Sequence, residues 1–343
     1  MFSKLRSWGV FITLFIHVHI ALFAQGGATF ILPTPNRALF EAGGEPRYFI
    51  GTVGKPWTSG TFGCVRSDGR QIHEGLDIKA TRRDKSGEPA DPIFATADGT
   101  VAYFNTKAAL SNYGRYVILR HQIEGIEVYS VYAHLSEISD ELSIGSKVRQ
   151  GQTIATMGRS SNTRQTITKD RAHLHFELNV LLNDRFASWF HERKQGERND
   201  HGNWNGHNLL GIDPRKVLLE QARQGNQFSI LALIRKSTPL CRVQVQTTHF
   251  PYLRRYQSLI RRNPAAETEG IAGYEIALDF NGVPFELIPK TSREFGEWKG
   301  KMRVVSVNEE EHDKNPARHW VSRQGNRWDL TARGKELLDL LTY

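Results

Sequence analysis

Between Ile93 and Val180 the chain is written in short runs of β-branched and aromatic residues, separated by polar or glycine-containing breaks. That rhythm predicts a compact antiparallel sheet or sandwich. Ile93–Phe104 reads as two short strands around Asp98–Gly99. Tyr116–Arg120 and Glu127–Tyr132 follow, parted at Glu124–Gly125, and Ile154–Met157 and His173–Val180 complete the set.

The chain's 343 residues exceed one average core, so two domains are expected. The first is a mainly β unit over residues 46–222. Its tail includes a polar, loop-like stretch, Asn183–His207, and a short helix, Arg215–Arg223, with Asp213 as N-cap and Pro214 at the first helical position. Residues 226–343 read as a smaller α+β domain. Phe228–Ile234, Arg242–Thr248 and Met302–Val307 are strand-like, and Tyr252–Arg262 has helical spacing. Tyr274–Phe280 and Val283–Ile288 form a hairpin across Asn281-Gly282, where a type I′ turn is expected. Thr331–Leu341 is an amphipathic helix with apolar residues at 337, 338, 340 and 341.

Lys4 and Arg6 precede an almost wholly apolar segment from Trp8 to Ala24, and small residues follow. This is the layout of a secretory signal in residues 1–24, cleaved after Ala24 or near Ala28; left uncleaved, it would be a signal-anchor and tether the chain to a membrane. Either way the remainder is expected outside the cytoplasm, in the periplasm or the extracellular envelope. No internal stretch has the length of apolar residues needed to span a bilayer. The net charge of +9 favours anionic partners, and for an exported chain an envelope polymer or membrane surface fits better than nucleic acid. With only Cys64 and Cys241 the chain is no disulfide scaffold, and one bridge or two free thiols are both compatible with export.

Five residues stand out by setting. His73 and Asp77 form H-x-x-x-D, with Gly75 between them arguing for a turn that leads into a strand. His173 and His175 form H-x-H within a strand, where alternate side chains share a face. His134 follows a strand, in YAHL. Two imidazoles and a carboxylate are a donor set that zinc uses at catalytic sites, with a fourth position for water. His191, His201 and His207 in the polar stretch fit no zinc spacing, and His191-Glu192 lacks the second histidine of H-E-x-x-H. Trp189 and Trp204 have two readings, substrate contact or packing.

The ordered set H-x-x-x-D in a G-x-D-I context, D-G-T-V, Y-A-H-L, G-x-x-V-x-x-G-x-x-I-A and H-L-H-F-E resembles the lysostaphin/LytM-type zinc metallopeptidases from about Gly60 to Asn179. The resemblance implies one Zn2+ on His73, Asp77 and His175. It makes His173 the catalytic histidine and His134 its partner in proton transfer or oxyanion stabilisation. It further implies hydrolysis of peptide bonds in peptidoglycan cross-links or stem peptides through a metal-activated water. The segment before H-x-H, GRSSNTRQTITKDRA, is longer and more basic than the family's glycine-rich turn, so the substrate groove is expected to differ there. The alternatives are a catalytically inactive relative that scaffolds or activates another wall hydrolase, and a pure envelope-binding module.

Overall fold

The computed structural model describes residues 29–66, 71–163, 167–315 and 317–343. The expected signal segment, residues 1–24, lies outside them. Among the described residues no helix is long and apolar enough to cross a membrane.

The protein is built mainly of antiparallel sheets. The largest has the strand order Leu209–Ile212, His173–Leu181, Ile126–Ala133, Tyr116–Ile123, Gly99–Asn105 and Lys147–Val148. Leu76–Lys79 also pairs with His173–Leu181, alongside its residues 173–176, while Leu209–Ile212 takes residues 178–181. A small sheet of Pro92–Phe94, Thr153–Thr156 and Glu137–Ile138 stands beside it. The C-terminal part has its own four-stranded antiparallel sheet, ordered Pro284–Lys290, Gly273–Leu278, Cys241–Val245 and Met302–Val307, with several helices.

The strand His173–Leu181 organises the site. All nine residues are buried. Leu174, Phe176, Leu178 and Val180 enter the apolar core. The alternate positions His173, His175, Glu177 and Asn179 are polar and equally buried, which a strand tolerates only if each polar atom finds a partner. Gly75 brings the H-x-x-x-D loop against this strand: a Cβ there would stand 2.4 Å from the Phe176 carbonyl oxygen and 2.8 Å from Glu177 Cγ.

The expected strands of the first part are present, as is the helix, which runs Pro214–Gln224 with the Asp213 carboxylate accepting from the N–H groups of Arg215 and Lys216. Four expectations need correction. Asn183–His207 is not only a loop, because Phe186–Arg193 is a helix whose Phe186, Trp189 and Phe190 are buried. Phe228–Ile234 is not a strand: the Ser229 hydroxyl caps the helix Ile230–Arg235 by accepting from Ala232 N. Tyr252–Arg262 is not one helix. Pro251–Arg255 gives way to the 3-10 turn Gln257–Leu259, and Ile260 then bridges to Leu287. The break falls at Tyr256, a buried residue whose hydroxyl accepts from Leu181 N. The hairpin at Asn281-Gly282 forms, but its turn is not type I′. Gly282 alone has positive φ, and the Asp279 carboxylate accepts from both Asn281 N and Val283 N, drawing the loop around itself.

Cys64 and Cys241 are both free.

Candidate metal centre

Antiparallel register sets His175 directly opposite Asp77. His73 reaches the same point from the loop before that strand. The ligand atoms form a close triangle: His73 Nε2 to Asp77 Oδ1 is 3.0 Å, His175 Nδ1 to Asp77 Oδ1 is 3.0 Å, and His73 Nε2 to His175 Nδ1 is 3.1 Å. The three form a His/Asp group able to hold a metal ion. Tetrahedral bonds of 2.0–2.1 Å put ligand atoms about 3.3 Å apart, so a zinc ion requires an expansion of only a few tenths of an ångström.

The outer partners fit a metal equally well. His73 Nδ1 donates to the Thr61 carbonyl at 2.9 Å, which leaves Nε2 as the free donor atom. His175 is turned the other way: its Nε2 donates to Glu177 Oε1 at 2.7 Å and its Nδ1 faces the triangle. Each ligand imidazole is thus oriented through its second nitrogen, as metal-binding histidines are. Burial pulls the His175 pKa down, but its hydrogen bonds to the Asp77 and Glu177 carboxylates raise it to about 9 overall. Asp77 is held well below the carboxylate range: burial opposes this, and His73, His173 and His175 overcome it.

His173 and His134 stand beside the triangle with their tautomers fixed in the same way. His173 Nδ1 donates to the Arg171 carbonyl at 2.7 Å, and His134 Nδ1 to that of Ser160 at 2.9 Å. Both Nε2 lone pairs are left open. The rings lie 4.9 Å apart at 74°, and His173 Nε2 is 3.5 Å from Asp77 Oδ1. Burial lowers both pKa values, and for His134 the repulsion from a proton placed on His173 or His175 adds to it. Both are neutral bases at neutral pH. His134 adopts a left-handed φ of 64°, the conformation that turns its ring back to the site.

All five histidine and aspartate positions singled out in the sequence converge here. His201 does not: it lies with Tyr103, Tyr116 and Trp204. Trp189 packs, with its indole N–H donated to Asp339 at 2.7 Å. Trp204 is half-buried and stacks on Tyr103.

Six neighbours were not singled out in the sequence reading. Glu177 orients His175, and the Tyr113 hydroxyl donates to the same Glu177 oxygen at 2.7 Å. Arg66 donates to Asp77 Oδ2 at 2.6 Å. Arg171 lines the cleft of about 1270 Å³ into which the site opens, and Arg318 and Trp320 of the C-terminal part line it too. Only Glu177 carried a signal, its place two residues beyond H-x-H on a strand.

The model of the family described as Peptidase family M23 matches residues 71–186. Lipoprotein NlpD of Yersinia enterocolitica is 34% identical over 97 residues, covering 28% of this chain and 84% of that protein. Among solved structures, a zinc containing peptidase from Vibrio cholerae is 28% identical, with 31% of this chain and 26% of that one covered and a TM-score of 0.23. The catalytic domain of the antimicrobial peptidase lysostaphin from Staphylococcus simulans is 17% identical, with 46% and 89% covered and a TM-score of 0.30. This chain spans about a quarter of the Vibrio protein. With 34% identity to a relative of which it covers 84%, the chain belongs to peptidase family M23.

Proposed function

We propose that the chain is a zinc-dependent endopeptidase that hydrolyses peptide bonds in peptidoglycan cross-links or stem peptides, with His73, Asp77 and His175 holding one Zn2+. The observation that carries this reading is the pair His173 and His134. Each has Nδ1 tied to a backbone carbonyl and Nε2 open beside the metal triangle. A purely structural metal site has no use for two such bases.

Bound zinc supplies Lewis acidity and a water acidic enough to ionise near neutral pH. The protein's own residues do the rest. His173, neutral and aimed at the triangle, takes a proton at Nε2 and returns it to the leaving amine. His134 has its Nδ1 proton committed to Ser160, so it can donate to a developing oxyanion only after gaining a proton at Nε2. Because the two rings lie close together, they carry one added proton between them. In this reading residues 46–222 cut, and the protein works in the periplasmic or extracellular envelope, in keeping with a relative named as a lipoprotein.

The inactive-scaffold reading is disfavoured because no ligand or base position is vacant. The test is digestion of purified peptidoglycan with and without chelator, followed by mass spectrometry of soluble fragments. Chelator-sensitive peptide products are expected; binding without release of peptides overturns the reading.

A further inference from the structure

Arg171 is a half-buried cation in the cleft wall, two residues before His173. Its guanidinium is tethered to the Gly51 carbonyl through Nε at 3.2 Å and Nη2 at 2.7 Å. Nη1 has no partner among the described residues.

No carboxylate of the site neutralises it. Asp77 gives its second oxygen to Arg66. Glu177 is shared by His175, Tyr113 and Asn179. Glu74 is engaged by Arg318 at 2.8 Å. Burial works against the charge on Arg171, Asp77 favours it from a distance, and Arg66 adds repulsion. A guanidinium fixed by a backbone tether, partly desolvated and facing a cleft, is suited to an anion arriving from solution, where a charge-assisted hydrogen bond is worth more than in water.

We propose that Arg171 forms a subsite for a carboxylate of the substrate. The preferred substrate is then a peptide with a free carboxylate close to the bond that is cut. This inference rests on the peptidase reading above. Arg171 acts on specificity: its tether fixes where the carboxylate sits, and its own carbonyl fixes His173, so the two are set in one frame.

The test uses the full, zinc-loaded chain and one synthetic stem peptide made twice, with a free C-terminal carboxylate and as the C-terminal amide. Binding is followed by titration calorimetry and turnover by kcat and KM. The wild type is expected to favour the carboxylate form roughly tenfold or more, the scale of a charged hydrogen bond. Arg171→Gln should erase that preference through KM, with zinc content unchanged. Arg171→Lys should keep part of it, and serves if the glutamine variant fails to fold. Equal handling of both peptides by the wild type overturns the subsite while leaving the peptidase intact. An equal loss on both peptides in Arg171→Gln also overturns it, since that is what a merely structural tether predicts. Selective binding of the carboxylate form without cleavage of either peptide supports the subsite and sinks the peptidase reading.

Discussion

Every imidazole in the centre has one nitrogen spoken for, and that commitment decides what the other can do. The contrast between His173 and His175, two residues apart on one strand face, makes the point. A carbonyl holds His173 and leaves a base; a carboxylate holds His175 and makes a strong, anion-backed donor to a metal. Glu177→Gln keeps the shape and the hydrogen bond but removes the charge. It should weaken zinc binding by roughly tenfold, the low end for outer partners of a metal ligand, as measured by chelator competition. Unchanged zinc affinity would show that the Glu177 charge does not matter. His173→Ala should abolish turnover while zinc stays bound; loss of zinc instead would make His173 a ligand. The grouping of His73, Asp77 and His175 was legible in the sequence because order and spacing of five short motifs carried it. Tyr113 was not, since it meets Glu177 across 64 residues, from the turn before the strand Tyr116–Ile123, and only the folded chain brings the two together.

At the scale of elements, strands announced themselves where β-branched residues ran between glycine turns, and errors clustered where a single side chain redirected the backbone. Ser229 turned an apolar run into a capped helix, and Asp279 replaced a two-residue turn with a loop wound around its carboxylate. Neither effect is visible in hydrophobic periodicity, which records burial and not capping. Asp279 also gives a pH prediction. Burial pushes its pKa up to about 7, against hydrogen bonds from the backbone N–H groups of Val283, Asn281 and Gly282. In the unfolded chain it titrates near 4 (about 3.9). Between roughly pH 4 and 7 the folded state therefore keeps a proton that the unfolded state releases, and the Asp279 contribution to stability falls as pH rises through that window. Burial lowers His121 to about 4, which works in the opposite direction, but that effect is common to both proteins when Asp279→Asn is compared with wild type. Urea midpoints should show the variant gaining on wild type from pH 5 to pH 8. A difference that does not change with pH refutes the assignment.

At the scale of the whole molecule, the sequence divides the chain into a unit over residues 46–222 and a smaller one over 226–343, and one apolar cluster takes residues from both, from Phe30 to Leu341. The polar links crossing it are buried or nearly so. Tyr256 accepts from Leu181 N at the end of the His173 strand, and Asn183 donates to the Leu340 carbonyl at 2.8 Å. Arg255, with a side chain only 10% exposed, bridges Glu127 at 2.9 Å and Asp184 at 3.1 Å. Removing this cation takes from Glu127 its close ionic partner, while Asp184 keeps Arg254 at 2.8 Å, so Arg255→Ala should cost about 3 kcal/mol, the low end for a broken buried pair. Urea denaturation would measure it, and a cost near zero would mean that the bridge is replaced by water. Cutting the chain after residue 225 removes all these partners at once. It leaves Leu181 N without its acceptor and opens the apolar face beneath Trp189 and Phe186, whose neighbours include the C-terminal helix Ala332–Thr342. The fragment should therefore lose its near-ultraviolet circular dichroism and bind a hydrophobic dye, although every residue of the metal centre is still in it. If it instead unfolds cooperatively at the wild-type temperature and takes up one zinc ion, the C-terminal part is a separable module, and the position of Arg318 and Trp320 in the cleft wall has no bearing on how the centre is built.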